Sequence, residues 1–599
     1  MIKERLADLR KAMEEAGVDC YIIPTSDYHN SEYVNEHFRA RRYFSGFTGS
    51  AGTLVVSREE AALFTDGRYF IQAGKELAGT GIKLMKMGEP QVPTLEEYVE
   101  QVLKQGQTLG FDGRVITAGA GAKYEKLVKK KEGRLVWNQD IADRAWKERP
   151  PLSHTPVFIL EERYSGESTA SKLARLREKM KEEEAGLHLL TTLDDIAWLF
   201  NIRANDVESC PVALSYAAVT GEEAFLFAEE GSFNEAVKGY LRDNKITLKP
   251  YDDFYTYAAF ETAKTPGIRV LLSEKQMNYR LKKEIAKTAV IIDRANPTSL
   301  MKAVKNPTEQ ENLRKAHLMD GIAVTHFMYW LKKNAGKLSM TEITAAQYLE
   351  DLRRENKSFI EPSFETICAY KDNGAIIHYS ASPDSCADIA GEGLLMVDSG
   401  GHYFEGTTDI TRTFVLGEIT EEMREHFTLV VRSMLRLKNA KFLYGCKGVN
   451  LDILARQVFW EKGLDYKHGT GHGVGYLLNV HEGPNSFRFK PLDFAEESWV
   501  FEEGMVTTDE PGIYIEGSHG IRIENELLCK KAEKNEAGQF MAFEDLTYVP
   551  IDLDGIQADL LDDREKEILN RYHKEVFAKL SPFFEGEELA WFSNSTREV

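Results

Sequence analysis

Two periods organise the hydrophobic and polar positions of this chain. In MIKERLADLRKAMEEAG, Ile2, Leu6, Leu9 and Met13 share one helical face and charge fills the others, which predicts an amphipathic helix. Short apolar runs follow (CYIIP, GTLVVS, AALFT, IKLMKM), separated by polar or helical stretches, and this alternation predicts an α/β fold. It breaks at ERPPL, residues 148–152, where adjacent prolines disfavour helix and predict a linker. The same style resumes with the strand-like runs GLHLLTTL, IAWLF, VALSYAAV, EAFLFA and RVLLSE. A likeness between GFTGSAGTLVVS and NIRANDVESCPVALSYAAVT suggests two copies of one fold. The lysine-rich KYEKLVKKKEGR, residues 123–134, reads as a solvated helix face.

A third block opens at Asn306-Pro307-Thr308. There Thr308 and Glu311, three apart, predict a capping box before a long amphipathic helix. A second helix is expected after Thr420, with Glu421 and Glu422 favourable in its first turn and Met423, Phe427, Val430 and Met434 on its buried face. Glycine-rich turns between strands follow. The blocks predict three domains, 1–150, 151–305 and 306–599.

Length agrees with that division, because a chain of 599 residues exceeds what one hydrophobic core sustains. A formal charge of −20 argues against nucleic acid as a partner, since that binding draws its affinity from cationic neutralisation. The six cysteines are scattered without a CxxC pair, so zinc knuckles and a disulfide framework are not expected and the thiols read as reduced. The charged N-terminal helix is unlike a signal peptide, and no apolar run reaches the eighteen or so residues of a membrane span. These features predict a cytoplasmic protein without a membrane partner.

The chemistry gathers in the third block. HGTGHGVG, residues 468–475, fails the dinucleotide pattern, because the sixth position is Val474 or Tyr476 where glycine is needed, and no Lys-Ser or Lys-Thr closes a phosphate loop. What remains is a segment whose glycines let backbone pack closely around a histidine, as a ligand requires. Upstream, LLMVDSGGHYFEGTTDITRTFVLG reads as two strands joined through Gly400 and Gly401, carrying Asp398 and Asp409 among apolar and β-branched residues. Aspartate is depleted in strands and costly to bury without a counter-charge or a cation. Downstream, Glu510 precedes Pro511-Gly512, and GIRIENELL alternates so that Ile521 and Ile523 face one side, Arg522 and Glu524 the other. Asp398, Asp409, His472, Glu510 and Glu524 are therefore candidate ligands. One imidazole among four carboxylates suits two divalent ions such as manganese or cobalt better than a single structural zinc. No HExxH or GxSxG motif is present, and Cys368 lacks a local protease motif.

At these residues the chain resembles the pita-bread metallopeptidases. VDSG, TTDITRTF, HGTGHGVG, DEPG and IRIEN look like their five-ligand dinuclear site, and SFETICAYKDNGAIIHYS with HGTGHGVGYLLNVHEGP resembles the aminopeptidase P group. RRYFSGFTGSAGTLVV, FTDGRYF, DDIAWLFNIR and the C-terminal FEDLTYVPID are similar to its long three-domain form, whereas two-domain prolidases are shorter. The resemblance implies two creatinase-like N-terminal domains and a pita-bread catalytic domain with a C-terminal extension. It implies an aminopeptidase that releases the first residue from peptides beginning Xaa-Pro, by attack of a hydroxide bridging two divalent ions, manganese first, with cobalt or zinc as alternatives. It also implies a homodimer. By the same resemblance Glu510 is the general base, His378 and His481 bind substrate and stabilise the tetrahedral intermediate, and His468 lines the proline pocket. Arg522 orients Glu524 or a neighbouring carboxylate, and Thr411 supports a ligand by hydrogen bonding. In the second domain DVESCPVALSYAAVT keeps the Pro-Val step but places Glu208, Ser209 and Cys210 before it, which leaves substrate preference open. The competing readings are a prolidase-type dipeptidase and a catalytically silent peptide- or protein-binding relative.

Overall fold

The computed structural model describes residues 1–383, 385–490 and 499–599. The chain forms two compact units, one of Met1–Glu161 with Glu167–Thr298 and one of Glu162–Gly166 with Ser299–Val599.

The first unit contains one topology twice. β1 (Cys20–Pro24), β2 (Thr53–Ser57), β3 (Ala61–Thr65), β4 (Ile82–Lys86), β5 (Thr108–Gly110) and β6 (Arg134–Val136) form a sheet in the order β4-β3-β2-β1-β5-β6. β7 (Leu187–Leu190), β8 (Ser215–Thr220), β9 (Ala224–Ala228), β10 (Ile246–Pro250), β11 (Arg269–Leu272) and β12 (Val290–Asp293) repeat it as β10-β9-β8-β7-β11-β12. In both sheets the three central strands pair antiparallel and the outer ones parallel. Apolar runs form the strands because both faces are buried: in the first sheet Tyr21 and Ile23 enter one cluster and Cys20 and Ile22 another, and in the second β7 and β9 are buried at every position. α1 (Ile2–Glu15) lies on the first sheet through Leu6, Leu9 and Met13, with Ile2 half-buried. The lysines at 123–131 lie on or just after a helix, Ala118–Lys130, where Lys123 pairs with Glu96, Lys129 with Glu125 and Lys130 with Glu100.

One strand-like run proves helical. IAWLF belongs to α2 (Leu193–Phe200), which starts with Asp194 and Asp195 in its first turn and stops at Asn201 with φ +50°. Ile196–Phe200 is buried on every side, so no polar face displays the helical period, and such a short apolar run is ambiguous.

The long helix of the second unit is α3 (Pro307–Asn334), and its cap differs from the expected Thr308/Glu311 pair. Asn306 accepts from the Thr308 and Glu309 amides while Glu309 accepts from Asn306 N. Asparagine is the stronger cap, and Pro307 already carries helical φ at the first position. α4 (Glu342–Arg354) follows, and then α5 (Glu421–Lys438), capped by Thr420, which buries Phe427, Val430 and Met434 fully and Met423 in part. β13 (Ile367–Tyr370), β14 (Leu394–Ser399) and β15 (Ile410–Val415) form an antiparallel sheet in that order. The expected two-strand hairpin through Gly400-Gly401 is thus interrupted by a separate pairing of Gly401–Tyr403 with Gly406–Thr407. Glycine is required at this crossing, since a Cβ on Gly400 would lie 1.9 Å from the Thr408 carbonyl oxygen. β16 (Val506–Asp509), β17 (Gly512–Ile515), β18 (His519–Arg522) and β19 (Asn525–Asn535) complete the walls of the site. Ile513, Ile521 and Ile523 pack into the large core under α5, which turns Arg522 and Glu524 the other way. All six cysteines are free, and among the described residues no helix is long and apolar enough to cross a membrane.

Candidate metal centre

Five polar side chains converge between β14, β15 and the later strands because backbone pairing sets their register. Asp398 on β14 lies opposite Thr411 on β15. Asp409 precedes β15, and its amide donates to Glu526 Oε1 at 2.7 Å. The Glu524 amide donates to the Thr411 carbonyl at 3.0 Å, and Thr411 Oγ1 donates to Glu524 Oε2 at 2.7 Å. His472 sits in the two-residue strand Gly471–His472, its amide bonded to Thr508 Oγ1 at 3.0 Å. The flanking glycines are required, because a Cβ on Gly471 would lie 1.8 Å from the Thr508 carbonyl oxygen and one on Gly473 2.1 Å from that of Glu482. Glu510 is held by its amide on the Thr470 carbonyl at 2.8 Å.

The result is one cluster. Ligand atoms of Asp409, His472 and Glu524 lie within 4.8 Å of one another. His472 Nε2 is 3.5 Å from Asp409 Oδ2 and 3.6 Å from Glu510 Oε1. Oxygen and nitrogen donors about 2 to 2.5 Å from a shared divalent ion are spaced in this range. Asp398, Asp409 and Glu524 are all more than nine-tenths buried. Burial, then the charges of Asp398 and Glu510, push the Asp409 carboxyl well above its usual range. Burial, then Asp409, Glu510 and Asp398, do the same to Glu524. Packing anions this densely is unfavourable unless cations join them, so the donor set fits divalent ions. Asp398 Oδ1 supplies a second observation, being buried with no hydrogen-bond partner among the described residues.

Of the other residues singled out in the sequence, Arg522 meets Asp398 and not Glu524, at 2.6 Å through NH2 and 3.2 Å through Nε. Its NH1 donates to Tyr514 OH at 2.8 Å, and that hydroxyl lies 2.9 Å from His468 Nε2. Burial pushes the Tyr514 phenol up to about 12, with Arg522 opposing, so the neutral hydroxyl accepts from Arg522 and keeps its own proton for His468. The His481 ring stands edge-on to His472, with centroids 4.3 Å apart. His378 follows the tight turn Lys371–Ala375, and the preceding Ile377 carbonyl accepts from Arg522 NH2 at 3.4 Å. Sequence reasoning missed Tyr514 and two residues beneath Asp409, Glu526 and His317, whose Oε2 and Nε2 lie 3.2 Å apart, both fully buried. A signal existed for one of them, since Glu526 continues the every-second-residue series of Arg522 and Glu524.

Comparison with known proteins places these features in a family. Residues 311–531 match the metallopeptidase family M24 model, 539–599 match the C-terminal region of peptidase_M24, and 5–138 and 148–309 each match a creatinase/prolidase N-terminal domain. A probable Xaa-Pro aminopeptidase P of Botryotinia fuckeliana is 38% identical over 599 residues, covering 98% of this chain and 91% of that protein. Aminopeptidase P2 of Arabidopsis thaliana is 37% identical, covering 100% of this chain and 89% of its own. The crystal structure of X-prolyl aminopeptidase from Caenorhabditis elegans, described as a cytosolic enzyme with a di-nuclear active site, superposes with a TM-score of 0.94 at 33% identity over 100% of both chains. With two repeated N-terminal folds, a carboxylate-rich cluster and relatives matched along nearly their whole length, the chain belongs to metallopeptidase family M24, among its Xaa-Pro aminopeptidases P.

Proposed function

We propose that this chain is a metal-dependent aminopeptidase that removes the N-terminal residue from peptides with proline in the second position. The observation that carries the reading is the convergence of Asp409, His472, Glu510 and Glu524 beside the Arg522-bound Asp398. These five side chains would hold two divalent ions. When bound, such ions supply a water made acidic enough to attack near neutral pH and a Lewis acid for the scissile carbonyl.

The chain's own residues do the rest. Glu510 takes the proton that the attacking water releases. His481, beside His472, and His378 hydrogen-bond the oxygen that becomes negative in the tetrahedral intermediate, and loss of such a donor costs roughly a hundred- to a thousandfold in rate. His468 lines the proline pocket, held by Tyr514. Arg522 neutralises and fixes Asp398 while Thr411 fixes Glu524, so the ligands are aimed before the ions arrive. An Xaa-Pro bond is a tertiary amide without N–H, so a site for it recognises ring shape in place of that donor.

Manganese is the favoured ion because carboxylates dominate the donor set, with cobalt and zinc as alternatives. The reading takes domain limits near residues 150 and 305, a cytoplasmic location, supported by the cytosolic description of the C. elegans relative, and the homodimer that the resemblance implies. A silent relative is disfavoured, because all five ligands and both substrate histidines are present. The test is hydrolysis of a short Xaa-Pro-Yaa peptide and an Xaa-Pro dipeptide by enzyme stripped with a chelator and reloaded one ion at a time. Release of free Xaa from the longer peptide with manganese is expected. Cleavage of the dipeptide alone would point to a prolidase, and full recovery with zinc alone would overturn the manganese assignment.

A further inference from the structure

The side chain of Glu342 lies outside the cluster described above, yet it is among the most heavily bonded carboxylates of the second unit. It is fully buried at the first position of α4, where a carboxylate is favoured by the helix dipole. Oε1 accepts from the Tyr370 amide at 2.6 Å and from Asn373 Nδ2 at 3.0 Å. Oε2 accepts from Tyr379 OH at 2.7 Å and from the Ala387 amide at 2.8 Å. Two of these donors, Asn373 and Tyr379, bracket His378 in sequence, and Asn373 Nδ2 also lies 3.0 Å from Tyr379 OH.

The same turn is wedged from its other side. Gly374 packs against Gly520 of β18 so closely that a Cβ on Gly520 would lie 1.7 Å from the Gly374 carbonyl oxygen. Two residues further along β18, Arg522 reaches the Ile377 carbonyl. The turn that leads into His378 therefore has one face on the strand that also fixes Asp398 and the other on a single carboxylate.

We propose that Glu342 is a positioning residue for the reaction, setting the reach of His378 toward substrate through Tyr379 and Asn373. This rests on the assignment of His378 to substrate given above. Only a carboxylate fits the place, because four donors need two acceptor oxygens, whereas the side-chain amide introduced by Glu342→Gln would present one acceptor and its own N–H against the donors. Displacement of a catalytic group by about 1 Å costs up to a hundredfold in rate without touching the metal ligands.

The experiment compares Glu342→Gln, Tyr379→Phe, His378→Ala and the double variant Glu342→Gln/His378→Ala in manganese-loaded full-length enzyme. It reads kcat, KM, manganese stoichiometry by calorimetry and folded fraction by circular dichroism. Expected are a kcat about 10- to 100-fold lower for Glu342→Gln, a smaller loss for Tyr379→Phe, KM and metal stoichiometry unchanged, and no further loss when Glu342→Gln is added to His378→Ala. A kcat per folded molecule equal to wild type in Tyr379→Phe and Glu342→Gln, or full additivity in the double variant, overturns the proposal. If Glu342→Gln does not fold, a wild-type kcat for Tyr379→Phe overturns it alone. Full activity of His378→Ala would instead strike the assignment of that histidine.

Discussion

Arg522 NH2 and Asp398 Oδ2 stand 2.6 Å apart with both side chains buried, and the same guanidinium reaches Tyr514. The pair leaves Asp398 one oxygen for other work and ties it to the His468 side of the site through Tyr514. Lysine cannot replace a planar fork with three partners. Arg522→Lys should weaken manganese binding about 10- to 100-fold and lower kcat, as measured by calorimetry and steady-state kinetics.

Asp409→Ala and Glu524→Ala should abolish metal-dependent turnover while leaving circular dichroism unchanged. The metal-free protein offers a sharper reading. Burial and neighbouring anions disfavour both carboxylates there, so Asp409→Asn should raise the metal-free melting temperature even as it removes metal-dependent stabilisation. A melting temperature that rises equally with manganese in wild type and Asp409→Asn would contradict this.

Acid should destabilise the fold through two buried imidazoles outside the cluster. Burial, then His426, lowers His519 to about 4, and burial lowers His573 to about 3. Unfolded, both take a proton near pH 6.5, so the unfolded chain binds more protons below that value. Each group therefore contributes stability that is complete above about pH 6.5 and is lost as pH falls toward 4 and 3. The urea midpoint should drop between pH 7 and pH 5, and the drop should shrink in His519→Gln/His573→Gln.

Glu482, next to His481, is buried between Lys302 Nζ at 3.1 Å and Lys305 Nζ at 2.5 Å. Removing the anion leaves two buried ammonium groups together, so Glu482→Gln should cost about 3 to 5 kcal/mol in urea unfolding, as for other broken buried pairs. Lys302→Met, which leaves one partner in place, should cost less.

Much of this architecture was legible in the order of residues. The repeated α/β units appear as repeated apolar runs, and Ile521 and Ile523 against Arg522 and Glu524 declare which face of the strand is core. Illegible features share a physical cause, which is that the deciding partner is distant in sequence. Nothing near Glu342 announces Tyr379, and nothing near Tyr514 announces His468, which lies 46 residues before it. α2 was hidden for the opposite reason, since full burial erases the polar face that reveals a helix. At Asn306 the stronger cap simply outcompetes Thr308.

The most direct test is a crystal structure of the manganese-soaked protein with anomalous scattering recorded at the metal edge. Two peaks are predicted, ringed by carboxylates of Asp398, Asp409, Glu510 and Glu524 and by His472 Nε2, at distances of about 2.0 to 2.4 Å. A single peak, or peaks that these side chains do not touch, would contradict a dinuclear centre here.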